Sequence, residues 1–180
     1  MDDDLKDRIF GKVNTDADLF KQILSKVPGF NGYIERQNRR ASDKLLRETI
    51  ANRLEEQWQR ISRVQREFIA QGEIQFVDDL EAAALQLRTF IDRLRRASYG
   101  YSGLFDAIKI NEEELARLYQ YDAAMLQTVD EISRAIDNVE ASLGSDGLPA
   151  AIRHLETVSR QAVEIFNRRE EAVLGAGDKI

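Results

Sequence analysis

The sequence predicts an all-α protein, an antiparallel bundle of about four long helices preceded by a short amphipathic N-terminal leader. Only two prolines, Pro28 and Pro149, interrupt the 180 residues, so the span between them can hold long helices. Apolar residues recur every three or four positions over long stretches, which is the spacing of one helix face. No stretch shows the sustained alternation of apolar and polar residues that is typical of strands.

The first two long helices are expected over residues 32–70 and 73–97, joined at Gly72, a suitable left-handed C-cap. The first follows the breaker at residues 27–30. Its apolar stripe is Leu46, Ile50, Leu54, Trp58, Ile61, Val64 and Phe68. The second stripe has heptad spacing and consists of Val77, Leu80, Ala84, Leu87, Ile91 and Leu94. Heptad spacing is typical of helices packed as in bundles and coiled coils.

The third and fourth helices meet near Gly144. The third is expected to begin at Asn111, a good N-cap residue with Glu114 three positions later. Its stripe is Leu115, Leu118, Asp122, Met125, Val129, Ile132, Ile136, Val139 and Leu143. The fourth has Pro149 in its first turn, where proline is favoured. Its stripe is Ile152, Leu155, Ser159, Ala162 and Phe166.

These helices divide the chain into a leader (residues 1–30), a helical bundle (31–174) and a flexible tail (175–180). The first helix is longer than the second and overhangs it by roughly 20 Å at its N-terminal end. The connection at residues 98–110 is long and aromatic, so we expect it to pack over the core at that same end. The leader, the overhang and this connection should therefore meet at one end of the bundle.

Composition limits the class of protein. The chain has no cysteine, which excludes disulfides and thiol catalysis. The net charge of −6 makes nucleic acid an unexpected partner. No apolar run approaches the roughly 18 residues of a membrane span, and the acidic N-terminus does not resemble a signal peptide. A cytoplasmic location is expected.

A basic cluster lies at the predicted start of the first helix. It consists of Arg36, Arg39, Arg40, Lys44 and Arg47, with Asp43 as the single acid among them. Residues 112–180 hold 14 acidic and 7 basic residues. The cluster could hold phosphate headgroups or an acidic partner. Alternatively, it is a solvated face or pairs internally with the acidic half of the chain.

Asp122 is a carboxylate on an apolar stripe, flanked by Tyr119 and Tyr121. A buried carboxylate has to be paired or protonated. One interpretation is a contact with a ligand or partner. The other is a polar pair that sets the register of the bundle, with an arginine of the second helix or of the overhang as its partner.

Metal and cofactor chemistry have little basis in the sequence. A di-iron bundle needs Glu-x-x-His pairs on two helices, and the single histidine, His154, is not part of such a motif. Glycine-rich phosphate loops and nucleophile motifs are also absent. We therefore predict no metal, no cofactor and no catalytic residue.

The leader contains two apolar clusters, Ile9, Phe10 and Val13 followed by Leu19, Phe20, Ile23, Leu24 and Val27. Short amphipathic helices of this kind can lie on a membrane surface. Acidic residues are frequent before residue 19, which favours docking on the bundle instead.

Two stretches carry a resemblance. They are Pro28-Gly29-Phe30-x-Gly32-Tyr33, leading into Arg39-Arg40-x-x-Asp43-Lys44-x-Leu46-Arg47, and Tyr99-Gly100-Tyr101-x-Gly103-x-Phe105-Asp106-Ala107. Together they resemble a group of bacterial all-helical proteins over nearly the whole chain. That resemblance implies the helical fold and brings no activity with it. The leader before a long helix also resembles the membrane-remodelling hairpins of the phage-shock-protein A type, by analogy of fold alone.

The function predicted from the sequence is that of a non-enzymatic scaffold or adaptor acting through protein–protein contacts. The partner is another protein or a second copy of the chain. The alternative is a peripheral inner-membrane protein that binds anionic lipid through the leader and the basic cluster. The candidate interaction surface is Phe30, Tyr33, Arg36, Arg39, Arg40, Lys44, Arg47, Tyr99, Tyr101, Phe105, Tyr119 and Asp122. Of these, Tyr99, Tyr101 and Phe105 are expected to lie against the overhang.

Overall fold

A computed structural model describes residues 17–97 and 111–175 of the chain. Of these described residues, 88% are helical and none is in a strand, which confirms the predicted all-α bundle. Residues 1–16, 98–110 and 176–180 lie outside the described part of the chain.

Within residues 17–97 and 111–175, four long helices form the bundle and a shorter one precedes them. The short helix α1 covers residues 17–26. The long helices are α2 (Arg39–Gln71), α3 (Val77–Arg96), α4 (Glu112–Ala141) and α5 (Leu148–Gly175). Single 3-10 turns, Arg36–Asn38 and Ile74–Phe76, lead into α2 and α3.

The bundle consists of two antiparallel hairpins, α2/α3 and α4/α5, packed side by side. Gln65 bonds Glu81 near the turn of the first hairpin, and Arg95 bonds Asn52 near its open end. Between the hairpins, neighbouring helices run parallel. Phe90 packs on Phe166, and Arg93, three residues further along α3, pairs with Glu170. In the same way α2 runs parallel to α4, and Arg60 of α2 pairs with Asp137 and Glu140.

Helix α1 covers the seam between the parallel helices α2 and α4. Ile23 and Val27 are fully buried there. Lys26 pairs with Asp130 of α4, and its carbonyl accepts a hydrogen bond of 2.7 Å from Arg53 of α2. The second apolar cluster of the leader, except the exposed Leu24, is therefore packed on the bundle, as the docking interpretation predicts. The first cluster, Ile9, Phe10 and Val13, lies outside the described residues.

The predicted start of the first long helix at residue 32 is wrong, because α2 begins at Arg39. Gly29 and Gly32 have φ angles of +86° and +75°, and a left-handed residue cannot continue a right-handed helix. The chain makes two turns there before α2 starts. The second long helix likewise begins at Val77, after a 3-10 turn. With 33 and 20 residues, α2 still exceeds α3 by roughly 20 Å.

Other local predictions are confirmed. Asn111 and Glu114 form a reciprocal capping box at the start of α4, and Gly72 ends α2 with φ +81°. The stripes of the four long helices form one continuous core. The prediction that Trp58 is buried on its stripe is wrong, because its side chain is only partly buried and the guanidinium of Arg88 lies 5.3 Å from its ring centroid. Within the described ranges, no helix is long and apolar enough to cross a membrane.

Candidate functional site

A network of charged side chains lies inside the bundle at the end where α2 begins. Arg169 of α5 donates from Nε to Asp122 of α4 (2.6 Å) and from Nη2 to Asp43 of α2 (2.7 Å). Arg47 donates to the second oxygen of Asp43 at 2.9 Å, and Tyr33 donates to the second oxygen of Asp122 at 2.6 Å. These five residues are called the buried network below. None of them is more than 4% exposed.

The network connects all four long helices. Helices α2, α4 and α5 each contribute side chains to it. Helix α3 is linked by a hydrogen bond of 2.6 Å from Arg47 Nη1 to the backbone carbonyl of Leu94. The network holds two carboxylates and two guanidiniums, so its own charges cancel formally. Among the described residues, one polar atom of the network, Arg169 Nη1, is buried without a hydrogen-bond partner.

Tyr33 reaches Asp122 because the segment before α2 folds tightly against α4. Gly32 lies so close to Tyr119 that an added Cβ would be 2.6 Å from its hydroxyl. That hydroxyl accepts a hydrogen bond of 3.3 Å from the Tyr33 N–H. The Tyr33 ring stacks on Tyr119 and meets the edge of Phe30, with centroid distances of 5.6 and 5.4 Å. The Tyr33 carbonyl accepts a bond of 2.7 Å from Arg39 Nε.

Burial governs the protonation of the network. Burial raises the pKa of Tyr33 well above its usual value, and the neighbouring Asp122 charge raises it further, so the phenol is a neutral hydrogen-bond donor. Burial also raises the pKa of Asp122, although Arg169 and the Tyr33 hydrogen bond oppose that shift. Burial disfavours the Arg169 cation, but attraction from Asp122 and Asp43 outweighs it and raises the pKa of Arg169 well above its usual value.

The predicted interaction surface divides into an interior and an exterior part. Six of its residues are buried and cannot meet a partner while the bundle is closed: Phe30, Tyr33, Arg39, Arg47, Tyr119 and Asp122. Arg36, Arg40 and Lys44 are exposed. The expected positions of Tyr99, Tyr101 and Phe105 fall outside the described residues. Asp122 lies beside Tyr33, whose hydroxyl donates a hydrogen bond of 2.6 Å to its carboxylate.

The partner of Asp122 differs from the prediction. Its carboxylate pairs with Arg169 of α5, not with an arginine of the second helix or of the overhang, because α4 packs antiparallel to α5. The sequence does contain a signal for Arg169 and Asp43, the two network residues that were not predicted to be linked to Asp122. Arg169 lies three positions after Phe166, and Asp43 lies three positions before Leu46. Both therefore continue an apolar stripe as charged residues on the inner helix face.

Outside the network, three cations are spaced four residues apart from the 3-10 turn into α2. Arg36, Arg40 and Lys44 are called the cationic stripe below. Lys44 approaches Glu48 at 3.7 Å, and both side chains are more than half exposed. Ile34, close to the stripe in the chain, is 75% exposed.

Among residues 17–97 and 111–175, no three histidine or carboxylate side chains come together as a metal site would require. Comparison of the chain with protein-family models, with curated proteins and with solved structures finds no match.

Proposed function

We propose that the protein is a non-enzymatic scaffold or adaptor that binds an acidic surface of a protein partner through the cationic stripe. The observation that carries this proposal is the exposure of Arg36, Arg40 and Lys44 on one side of the chain at four-residue spacing. Arg40 and Lys44 lie on one face of α2 because they are four residues apart, and Arg36, in the preceding 3-10 turn, lines the same surface hollow as Arg40.

The division of labour within the basic cluster supports the proposal. Arg39 and Arg47 are buried, and each donates to a backbone carbonyl of the bundle, Tyr33 and Leu94 respectively. The three cations of the stripe are exposed instead. The exposed pair of Lys44 with Glu48 contributes little stability, because such ion pairs are screened by solvent. Lys44 can therefore exchange Glu48 for a partner's acid at little cost.

The buried network also fits a binding role. It fixes the N-terminal end of α2 and the segment before it to α4 and α5 through bonds of 2.6 to 2.7 Å. A rigid base holds the stripe in one geometry before binding. Less conformational entropy is then lost when a partner binds.

The test is comparative cross-linking of the wild-type chain and two triple variants in cells. One variant carries Arg36→Glu, Arg40→Glu and Lys44→Glu. The other carries Arg63→Glu, Arg66→Glu and Arg134→Glu, three exposed arginines elsewhere on the bundle, and has the same net charge. We expect the first variant to lose the cross-linked partners of the wild type and the second to keep them. Equal retention by both variants contradicts the proposal.

The alternative, a peripheral membrane protein, is favoured by one observation. Ile34 is 75% exposed close to the cationic stripe in the chain, and an apolar residue beside cations suits an anionic membrane surface. Co-sedimentation with phosphatidylserine vesicles, compared with phosphatidylcholine vesicles, tests it. Salt-sensitive binding that the stripe variant loses and the control variant keeps supports the alternative. Equal sedimentation with both kinds of vesicle argues against it.

A further inference from the structure

The two seams between parallel helices are treated differently in this bundle. The seam between α2 and α4 is covered by α1 and the residue that follows it, and Ile23 and Val27 are buried there. The seam between α3 and α5, on the far side of the bundle, is an open groove of about 450 Å³. No described helix covers it. We call it the α3/α5 groove.

The groove is apolar at its base and has an exposed apolar residue on its edge. Phe90 forms part of the base and is buried, and Val163 beside it is partly buried. Leu85 lines the groove and is 64% exposed. A large exposed leucine next to an apolar hollow indicates a contact surface, because burying that side chain against another molecule is favourable.

Charges of both signs line the rim of the groove on α5. Glu156, Arg160 and Glu164 follow one another at intervals of four residues. In the part of the chain that the structure describes, none of the three forms an ion pair. Arg60, Arg93 and Arg169, by contrast, all pair with acids of another helix. The rim therefore presents an arginine and glutamates that can form ion pairs with another molecule.

We propose that the α3/α5 groove is the interface for a second copy of this chain, related by a two-fold axis. In a two-fold interface the same patch meets itself, so it must contain complementary features. This patch has them. Leu85 is a projection beside a hollow, and Arg160 lies one turn from Glu164.

The charges on the rim of α5 determine where the two-fold axis crosses that helix. With α5 antiparallel to its copy and the axis between residues 160 and 164, Arg160 faces Glu164 of the partner subunit, and Glu164 faces Arg160 of the partner subunit. An axis through Arg160 itself would oppose two like charges. An apolar helix of another protein could fill the hollow without contacting the rim charges. A second copy of the chain, by contrast, uses both the hollow and the paired rim charges.

This proposal is independent of the cationic stripe, which lies outside the α3/α5 groove, so each can fail alone. Its first test is sedimentation equilibrium of the full chain. We expect a wild-type mass of twice 20.6 kDa. Leu85→Glu should be monomeric, and Leu85→Ala should weaken dimerisation by roughly a hundredfold or more, because each symmetric dimer loses two buried leucine side chains. Ile69→Glu is the matched control, because Ile69 is 58% exposed on α2, and it should remain dimeric.

The second test exchanges the rim charges. Arg160→Glu alone and Glu164→Arg alone should each weaken dimerisation, because like charges then meet across the axis. The double variant should recover most of the affinity. Circular dichroism checks that each variant keeps its helices. A wild-type chain that stays monomeric up to about 100 µM overturns the proposal, and so does equal dissociation by Leu85→Glu and Ile69→Glu. A double variant no better than the single ones overturns the proposed axis.

Discussion

At the scale of single residues, Arg169 is the centre of the buried network. Its guanidinium contacts Asp122, Asp43 and Tyr33, which belong to three different segments of the chain. Replacing it would leave two carboxylates in the core without their shared cation. Breaking a buried pair in this way is costlier than the pair's own contribution to stability, because the remaining charge is neither solvated nor paired.

We therefore expect Arg169→Met to lower the free energy of unfolding by about 3–5 kcal/mol. The neighbouring Arg168 is exposed, so Arg168→Met should change it by less than about 0.5 kcal/mol. Urea denaturation followed by circular dichroism measures both. Similar values for the two variants would mean that the network contributes little to stability.

Tyr33 should make stability fall at alkaline pH. Because burial raises its pKa well above the usual 10.0, the folded chain keeps the phenol proton at a pH where the unfolded chain has lost it. The unfolded state then binds fewer protons, so the free energy of unfolding decreases as pH rises above 10, by up to about 1.4 kcal/mol per pH unit.

The variant Tyr33→Phe lacks this dependence. The stability difference between the wild type and Tyr33→Phe should therefore shrink as pH rises from about 9 to about 11. Urea denaturation at several pH values measures it. A difference that stays constant or grows over this range would show that Tyr33 ionises at least as readily in the folded chain as in the unfolded one.

At the scale of elements, the segment that leads into α2 depends on Gly32. Its φ of +75° favours glycine, and the Tyr119 hydroxyl occupies the space of a side chain. Tyr119 is itself packed against Phe20 and Phe30, so it cannot turn aside. Gly72 has a similar φ of +81°, but an added Cβ there would meet nothing within 4 Å.

These two glycines form a matched pair for mutation. Gly72→Ala should cost about 1–2 kcal/mol, the strain of a left-handed alanine. Gly32→Ala should cost about 1–3 kcal/mol more, because overpacking adds to the same strain. Thermal or urea unfolding compares them. An equal cost would indicate that the α2 entry segment yields to the added methyl group.

At the scale of the whole molecule, the two hairpins are held together differently at the two ends. Near the turns, Arg60 pairs with the partly exposed acids Asp137 and Glu140. At the other end, the buried network joins all four long helices. The network end should therefore control how the hairpins open relative to one another.

Hydrogen exchange can detect this control. Arg169→Met should speed amide exchange in α2 and α4 as well as in α5, because opening the network end separates the hairpins as a unit. Mass spectrometry of exchanged peptides measures it, with Arg168→Met as the control. Faster exchange confined to α5 would show that the network acts only locally.

The sequence by itself determined the helices, their inner faces and several of their ends, because these follow from interactions between residues a few positions apart. The stripe of α4 and its capping box at Asn111 are of this kind. The start of α2 was missed because the left-handed residue Gly32 packs closely against Tyr119 of α4, which also accepts a hydrogen bond from Tyr33.

Only the tertiary structure decided which charges pair. Arg169 is 47 residues from Asp122 and 126 residues from Asp43, and periodicity places each on an inner face without naming its neighbour. The same limit applies to the α3/α5 groove, whose two sides come from different hairpins. Contacts between distant segments depend on how the helices pack against one another, and that arrangement is a property of the whole bundle, which no local pattern contains.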